Sequence, residues 1–317
     1  RNLDDLIVGP FLSRWADLLG SDARERLFLM VEGEEAKQFT HLEQVYNQLI
    51  RQGIDRHAAI FALGGGVVGD FAGFVAATIL RGVAFYQFPT TLLAAVDSSV
   101  GGKVAVNVAL GKNMVGAFYQ PRMVCCNTDH FLTLSEREWR CGLAEMVKHA
   151  FLDPEGRLLG ELRTHMGHLR DPQSDPFHRC LLDSIAFKAG VVSQDEHEHG
   201  LRAILNLGHT TAHALESLTH YQRFAHGEAV SRGLFTMLLL SRRLAGLSQE
   251  DFETMRSMLE ALELPLDTAG LLAGDLYHHM LYDKKSVAGS PRFILLAAPG
   301  RPLMGQEVTE ADFRMAW

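Results

Sequence analysis

Short apolar runs alternate with longer amphipathic stretches over the first 130 or so residues of the chain. Runs of four to eight apolar residues are typical of buried strands, and the stretches between them have helical periodicity. This alternation predicts an α/β layer, because strands that are buried on both faces need helices to cover them. The predicted strands are 6–8, 27–31, 58–63, 83–88 and 123–126, and the first predicted helix is 39–52.

Beyond residue 132 the pattern becomes mostly helical. Ser135 and Glu138 stand at the spacing of a capping box, which predicts that a helix begins there. We therefore predict two domains, an α/β domain over 1–132 and a mostly helical domain over 133–317. The predicted helices of the second domain are 135–151, 177–194, 209–219, 226–246 and 250–262, followed by a single late strand at 293–297.

Composition narrows the class of protein. The chain has 317 residues, 47% of them hydrophobic, and a net charge of -8, which argues against a protein that binds nucleic acid or an anionic membrane surface. Its four cysteines show no C-x-x-C spacing, so reduced thiols in a cytoplasmic protein are expected. The longest apolar helical stretch, 71–80, is too short to span a bilayer.

A glycine-rich turn follows the strand at 58–63. Gly64, Gly66 and Gly69 satisfy G-x-G-x-x-G between that strand and a predicted helix at 71–80, a context in which backbone N–H groups can bind a pyrophosphate. An ordinary dinucleotide fold would add an acidic residue about 20 positions later, and residues 71–96 contain none. A tight turn without a ligand is therefore an alternative.

Possible metal ligands occur in three separated segments. His209 and His213 are four apart and so share a helical face, but the glutamate that follows the first histidine of a zincin is absent. Glu145 and His226 lie in the other two segments. Two imidazoles and a carboxylate would leave open positions on Zn²⁺ for a substrate. The chain has 15 histidines, however, and any one of them taken alone is more often structural.

Several segments together carry a family resemblance: the glycine turn, residues 97–103 (DSSVGGK), residues 110–113 (LGKN), and the segments around Glu145, His209 and His226. From about residue 31 to about residue 296 the chain resembles the 3-dehydroquinate synthases. These are sugar-phosphate cyclases in a wider family that also holds glycerol dehydrogenases and iron-type alcohol dehydrogenases. The resemblance implies a Rossmann-like NAD-binding domain followed by a mostly helical domain that binds metal and substrate.

The resemblance also implies NAD as the cofactor, with ribose contacts upstream of the glycine turn. Glu34 and Lys37 match that upstream pair, which would account for the missing downstream acid. The family's first ribose contact has no clear match near the start of this sequence. The other implied cofactor contacts are Gly65, Gly66, Val67, Asp70, Thr90, Thr91, Asp97, Lys112 and Thr133.

By the same resemblance, Glu145, His209 and His226 hold Zn²⁺ or Co²⁺. His213 and Glu198 are implied to move protons, with Lys148 and Asp97 as further catalytic residues. Arg81 is implied to reach a neighbouring subunit's site, which predicts a homodimer. The implied substrate contacts are Arg81, Lys103, Asn113, Lys188, Arg202, Asn206 and one of Lys284 and Lys285. Taken singly, each lysine or arginine among these candidates is more often a solvated surface charge; Lys148 is the exception, because it shares an apolar helix face with Glu145.

The implied reaction converts 3-deoxy-D-arabino-heptulosonate 7-phosphate to 3-dehydroquinate and phosphate. Lys188, Arg202, Asn206 and His213 stand as they do in the dehydroquinate synthases, which favours this substrate over that of another sugar-phosphate cyclase. A metal-dependent NAD alcohol dehydrogenase is a second alternative, and it would accumulate NADH. Glu228 could be an outer partner of the metal site or a helix N-terminal carboxylate, and the second interpretation is preferred.

Overall fold

The structure is a computed structural model that describes residues 7–15, 17, 24–268, 270–281 and 291–317. The chain divides into two compact units, residues 1–133 and residues 134–317. The first unit is α/β and the second is mostly helical, so the predicted fold class is confirmed. Among the described residues, none of the helices has the length and apolar character needed to cross a membrane.

A three-stranded parallel sheet organises the first unit. It consists of β1 (Ala59–Gly64), β2 (Ala84–Pro89) and β5 (Met123–Val124), in the order β1-β2-β5. An antiparallel hairpin of β3 (Lys103–Val108) and β4 (Gly111–Phe118) lies between β2 and β5 in the sequence. The helices are α1 (Gly9–Arg14), α2 (Phe39–Arg51) and α3 (Gly66–Thr78), with short turns of 3₁₀ or π helix at Glu34–Lys37, Ile79–Arg81, Ala94–Ser98 and Thr128–Thr133.

Helix α3 fills the space between the sheet and the hairpin. It packs on β1 and β3, and its buried residues Phe71 and Phe74 join Phe85 and Val106 in one hydrophobic core. A Cβ atom on Gly73 would come within 2.4 Å of Val104 Cγ1, so only glycine allows the helix to approach this closely. Because α3 begins directly after β1, this packing fixes the glycine turn between them.

The second unit is built around α4 (Glu136–Leu152), which packs against several other helices of this unit. Ser135 and Glu138 form the predicted capping box at its start. The remaining elements, in chain order, are α5 (Arg157–Thr164), α6 (Asp175–Gln194), α7 (His209–Leu218), α8 (His226–Leu244), α9 (Gln249–Ala261), α10 (Ala273–Leu281), β6 (Arg292–Ala298), β7 (Arg301–Glu307) and α11 (Glu310–Ala316), with 3₁₀ turns at Met166–His168 and Leu201–Asn206.

Three predictions of local structure are wrong. Ile7 and Val8 have helical backbone, and 27–31 pairs with no strand among the described residues, although both segments are apolar. Leu29 and Val31 are 67% and 58% exposed, which shows that an apolar run without a neighbouring strand does not become part of the sheet. The strand predicted at 293–297 is not alone, since β6 pairs with β7 across a tight turn.

Candidate functional site

The three predicted metal ligands of the second unit come together. Glu145 lies in the middle of α4, and His209 and His226 are the first residues of α7 and α8. Their ligand atoms all lie within 4.8 Å of one another. The Nε2 atoms of His209 and His226 are 3.6 and 3.4 Å from the same oxygen, Oε1 of Glu145. Two imidazole nitrogens and one carboxylate oxygen are therefore close enough to bind one ion.

Glycines allow the three helices to meet at this point. A Cβ atom on Gly227 would come within 2.2 Å of Cys141 Cα, one turn before Glu145 on α4. On the other side of α8, a Cβ atom on Gly233 would come within 2.0 Å of the carbonyl oxygen of Gly208, next to His209. Only glycine permits such backbone contacts, and they place the ends of α7 and α8 beside the buried carboxylate.

Outer partners orient both imidazoles. The Nδ1–H of His209 donates to the carbonyl oxygen of Leu207 over 3.1 Å, and that of His226 donates to Oε1 of Glu216 over 3.2 Å. A carbonyl and a carboxylate can only accept, so Nδ1 carries the proton and each Nε2 is directed at Glu145. Such partners are typical of histidines that bind metals, because they fix the ring and its tautomer.

Charge is concentrated in this buried region. Complete burial by itself would raise the pKa of Glu145. The ammonium of Lys148, which contacts Oε2 of Glu145, and the two imidazoles outweigh burial and hold the pKa of Glu145 well below its usual value. Burial, followed by the charge of Lys148, lowers the pKa of His209. Burial also opposes the charged form of His226, but the carboxylates of Glu145 and Glu216 outweigh it and raise its pKa to about 10.

These residues fit a divalent metal. Among the described residues, neither carboxylate oxygen of Glu145 has a hydrogen-bond partner in good geometry, although the oxygens are fully buried and Lys148 is in contact. A buried carboxylate of this kind with two imidazole nitrogens is a typical donor set for Zn²⁺ or a similar ion. Binding of a cation would replace the proton that His226 otherwise holds.

Glu216 was not predicted from the sequence. It lies seven residues after His209 and three after His213, so it shares their helical face. That spacing was the available signal. Glu228, by contrast, accepts from the backbone N–H of Ala225 over 2.8 Å and pairs with Arg137, which confirms it as a carboxylate at the helix N-terminus.

Replacing Glu216 with alanine should weaken binding of Zn²⁺ by roughly 10- to 100-fold, because the imidazole of His226 loses the group that orients it. Chelator competition measures this affinity. Ser217→Ala is the matched control, since Ser217 is the next residue of α7 and its hydroxyl contacts His279 instead. Equal Zn²⁺ affinities for the two variants would contradict the role given to Glu216.

A cavity of about 370 Å³ lies beside the histidines in the second unit. The predicted residues on its wall are Glu198, Asn206, His209 and His213. The ring of His213 stands 5.4 Å from that of His209, centre to centre, and the Nδ2–H of Asn206 donates to Glu198 over 2.6 Å. The cavity also has a cation that was not predicted, Arg292 of β6, and no motif around Arg292 indicates this position.

Three predicted cations of this unit are buried. Lys148, Lys188 and Arg202 are 1%, 6% and 3% exposed, so the interpretation as solvated surface charges, which excepted Lys148, is wrong for Lys188 and Arg202. Burial of a charge is costly unless it is compensated, which makes such positions unusual. Lys284 and Lys285 lie outside the residues that the structure describes.

In the first unit the glycine turn has the predicted place between β1 and α3. Gly65 caps the helix, and a Cβ atom on Gly66 would come within 2.9 Å of Ser98 Oγ. The backbone N–H of Thr90 donates to the carbonyl of Gly64 over 2.9 Å, and a Cβ atom on Gly65 would meet Thr91 at 3.3 Å. The turn, Thr90 and Thr91 therefore form one continuous surface, on which Val67 and Asp97 are half-buried.

A buried lysine joins the segment predicted to contact the ribose to Asp70, which follows the glycine turn, and to Asn113. Lys37 is 2% exposed, and its Nζ is 2.7 Å from Oδ2 of Asp70, 2.5 Å from Oδ1 of Asn113 and 3.6 Å from Oε1 of Glu34. Burial raises the pKa of Asp70 although Lys37 opposes the shift. Asn107, which was not predicted, donates to Glu34 over 3.0 Å and accepts from the backbone of Asn113 over 2.9 Å.

The remaining predicted residues of the first unit differ in exposure. Arg81, Lys103 and Thr133 have exposed side chains, and Lys112 is half-buried on β4. Asn113, predicted to contact substrate, lies against Lys37, a predicted cofactor contact. Asn113 adopts a left-handed backbone (φ 54°), which places its side chain toward the lysine.

Two solved structures share the fold. One is 2-epi-5-epi-valiolone synthase from Streptomyces hygroscopicus with NAD⁺ and Zn²⁺ bound, with a TM-score of 0.83 at 23% identity over 96% of this chain and 87% of that chain. The other is 2-deoxy-scyllo-inosose synthase complexed with carbaglucose-6-phosphate, NAD⁺ and Co²⁺, with a TM-score of 0.76 at 26% identity over 90% of this chain and 80% of that chain. The fold is therefore that of the sugar-phosphate cyclases.

Sequence comparison narrows the class further. The 3-dehydroquinate synthase N-terminal model matches residues 27–141, and the 3-dehydroquinate synthase C-terminal model matches residues 142–286. The 3-dehydroquinate synthase of Leptospira interrogans is 50% identical over 287 residues, which are 90% of this chain and 78% of that protein. This chain belongs to the 3-dehydroquinate synthase family, and the resemblance drawn from its sequence is confirmed.

Proposed function

We propose that the protein converts 3-deoxy-D-arabino-heptulosonate 7-phosphate to 3-dehydroquinate and phosphate. The reaction proceeds in four steps, which are oxidation of a substrate hydroxyl, elimination of phosphate, reduction of the resulting ketone, and intramolecular aldol closure. Because oxidation and reduction cancel, the net reaction is that of a carbon–oxygen lyase. The observation that carries the proposal is the buried set of Glu145, His209 and His226 beside Lys148, in a chain of this family.

Cofactors of the relatives fit the residues of this chain. NAD would accept and return the hydride, and a divalent metal such as Zn²⁺ or Co²⁺ would polarise the substrate hydroxyls. Glu34, Lys37, Asp70 and the glycine turn are the proposed NAD contacts, with Thr90, Thr91, Asp97, Lys112 and Thr133. Glu145, His209 and His226 are the proposed metal ligands.

The chain's own groups would bind and orient the substrate. The net charge of the protein is -8, so a substrate with a carboxylate and a phosphate needs local cations. Lys148, Lys188 and Arg202 supply them from buried positions, where charge interactions are stronger than in water. Much of the rate enhancement would then come from position and electrostatics.

Proton transfer is proposed for two side chains on the cavity. The imidazole of His213 stands next to His209 and can accept a proton from a substrate hydroxyl. The carboxylate of Glu198 lies on the same cavity, where the amide of Asn206 holds one of its oxygens. Asn206 therefore limits the directions in which Glu198 can reach a substrate proton.

One assay separates this function from its alternatives. The heptulosonate phosphate is supplied with NAD⁺ and Zn²⁺ or Co²⁺, and phosphate, dehydroquinate and NADH are followed together. The proposal predicts equal amounts of phosphate and dehydroquinate with no net NADH. Stoichiometric NADH without phosphate would identify a dehydrogenase. Turnover of another sugar phosphate in place of the heptulosonate phosphate would identify another sugar-phosphate cyclase.

We also propose a cytoplasmic homodimer in which Arg81 serves the partner's site. Its side chain is exposed, and its left-handed backbone (φ 67°) turns it out of the end of α3. Arg81→Ala and His226→Ala should each be nearly inactive alone. If Arg81 acts across the dimer, a mixed population should regain about a quarter of wild-type activity, because half of the dimers are hybrids with one intact site.

Size-exclusion chromatography with light scattering gives the oligomeric state of each variant and of the mixture. Co-refolded wild-type protein is the control for subunit exchange. A mixture that stays inactive while subunits exchange would place Arg81 in the site of its own chain. A monomer of unchanged activity would contradict the dimer itself.

A further inference from the structure

The loop after α6 is held by one carboxylate. Asp195 ends the helix, and its Oδ1 accepts from the backbone N–H of His199 over 2.9 Å. Its Oδ2 accepts from the N–H groups of Gly200 over 2.8 Å and Arg202 over 3.0 Å. The contacts with Arg202 and His199 lower the pKa of Asp195 to about 2, so the group is ionised at neutral pH. A single side chain thus closes residues 195–202 into a compact loop.

This loop carries two of the residues proposed to act on substrate. Glu198 is in the left-handed backbone region (φ 59°), which is unfavourable for a residue with a Cβ atom and is kept only where surrounding contacts require it. Arg202 is 3% exposed, and its guanidinium donates to the carbonyl of Glu196 within the loop. Asp195 precedes Glu198 and its carboxylate accepts from backbone N–H groups that follow Glu198, including that of Arg202, so these contacts enclose Glu198 in the loop.

The loop also forms part of the cavity wall. Glu198, Ala203 and Asn206 line the cavity, and the 3₁₀ turn Leu201–Asn206 leads directly to the metal ligand His209. The loop connects α6, which carries Lys188, to α7. A shift of the loop would change the places of Glu198 and Arg202 without altering the outer partners of His209 and His226, which are Leu207 and Glu216.

We propose that Asp195 is a positioning residue for substrate turnover: its carboxylate fixes the loop that presents Glu198 and Arg202 to the cavity. The inference rests on the proposed function, because it assigns Asp195 an effect on that reaction. Asp195 itself touches only backbone N–H groups among the contacts described above, so its effect would pass through the loop.

The test uses Asp195→Asn and Asp195→Ala in the full-length enzyme. The asparagine amide has one acceptor oxygen, so it cannot satisfy the three N–H groups that two carboxylate oxygens hold, and alanine satisfies none. Amide hydrogen exchange at His199, Gly200 and Arg202 should become at least about tenfold faster, more so in the alanine variant. Because a displacement of about 1 Å can cost 100-fold in rate, kcat/KM should fall by about 10- to 100-fold in the same order.

Asp153→Asn is the matched control. Asp153 follows α4 and accepts from the backbone N–H groups of Glu155 over 3.1 Å and Leu158 over 2.9 Å, but its loop carries no proposed site residue. This variant should loosen its own loop and leave kcat and KM unchanged. Zn²⁺ affinity should equal that of wild type in all three variants, which a general loss of structure would not allow.

Each result bears on the proposal separately. Unchanged exchange at the three amides would show that Asp195 does not hold the loop. Faster exchange with wild-type kcat and KM, or an equal loss of kcat/KM in Asp153→Asn, would overturn its role in turnover. Should Asp195→Ala fail to fold, Asp195→Asn carries the test. A wild-type enzyme that releases no phosphate from the heptulosonate phosphate would instead refute the proposed function, while the exchange measurement still decides whether Asp195 holds the loop.

Discussion

Replacing Glu145 with glutamine is expected to abolish tight binding of Zn²⁺ and, with it, release of phosphate from substrate. The neutral amide is a poor metal ligand, and Glu145 is the one carboxylate in the group with His209 and His226. The loss of metal affinity should exceed the roughly 10- to 100-fold that removal of an outer partner costs. Chelator competition gives the affinity, and phosphate release gives the activity.

The same change has a second effect, on stability. Lys148 is 1% exposed and contacts Glu145, so the variant keeps a buried ammonium beside a neutral amide. Breaking such a pair costs about 3–5 kcal/mol, whereas replacing both partners with neutral groups is often tolerated. Glu145→Gln/Lys148→Met should therefore recover much of the free energy of unfolding without recovering Zn²⁺ binding. Zn²⁺ affinity within tenfold of wild type in either variant would contradict the assignment of Glu145 as a ligand.

Gly227→Ala is expected to damage both stability and the metal site. The added Cβ atom would lie 2.2 Å from Cys141 Cα and 2.6 Å from its carbonyl oxygen. Both are backbone atoms, which cannot rotate away from the clash as the end of a side chain could. Helix α8 must then move away from α4 and carry His226 away from Glu145. Overpacking of this kind costs about 1–3 kcal/mol, and the free energy of unfolding in urea measures it, together with Zn²⁺ affinity.

Gly160→Ala is the control for Gly227→Ala. It replaces a helical glycine with alanine at a position where the added Cβ atom makes no close contact. Gly160 lies inside α5, and nothing lies within 4 Å of a Cβ atom built on it. Alanine should stabilise that helix by roughly 0.5–1 kcal/mol, because it restricts the unfolded chain. If Gly227→Ala were as stable as Gly160→Ala and bound Zn²⁺ as tightly, the close contact between α8 and α4 would not matter to the site.

The residues that could be predicted from sequence are those with a local pattern or a family motif. The capping box of Ser135 and Glu138 is defined by neighbours three apart, and the glycine turn by strand and helix on either side. His209 and His226 were named because the segments around them match a family, not because of their spacing. The architecture followed from the change of periodicity near residue 132.

The residues that were missed act through contacts between distant segments. Asn107 reaches Glu34 across 73 positions, and no pattern around Asn107 indicates that contact. The strand predicted at 27–31 failed for the opposite reason, since its local pattern is apolar but none of the strands that the structure describes pairs with it. Hairpin β3–β4 was missed because its glycines and polar residues resemble a loop, and pairing between the strands is what stabilises it.

The helix that begins at His209 has ten residues, a length at which an isolated helix is marginal in water. A cation would bind the first residue of this helix, the first residue of α8 and the middle of α4. It would thereby hold together three helices that are far apart in the chain. Metal loading and folding of the second unit are then thermodynamically linked, with a gain that grows as the logarithm of free metal concentration over the dissociation constant. Cells or buffers poor in zinc would hold a protein that melts at a lower temperature and is cut more readily by proteases.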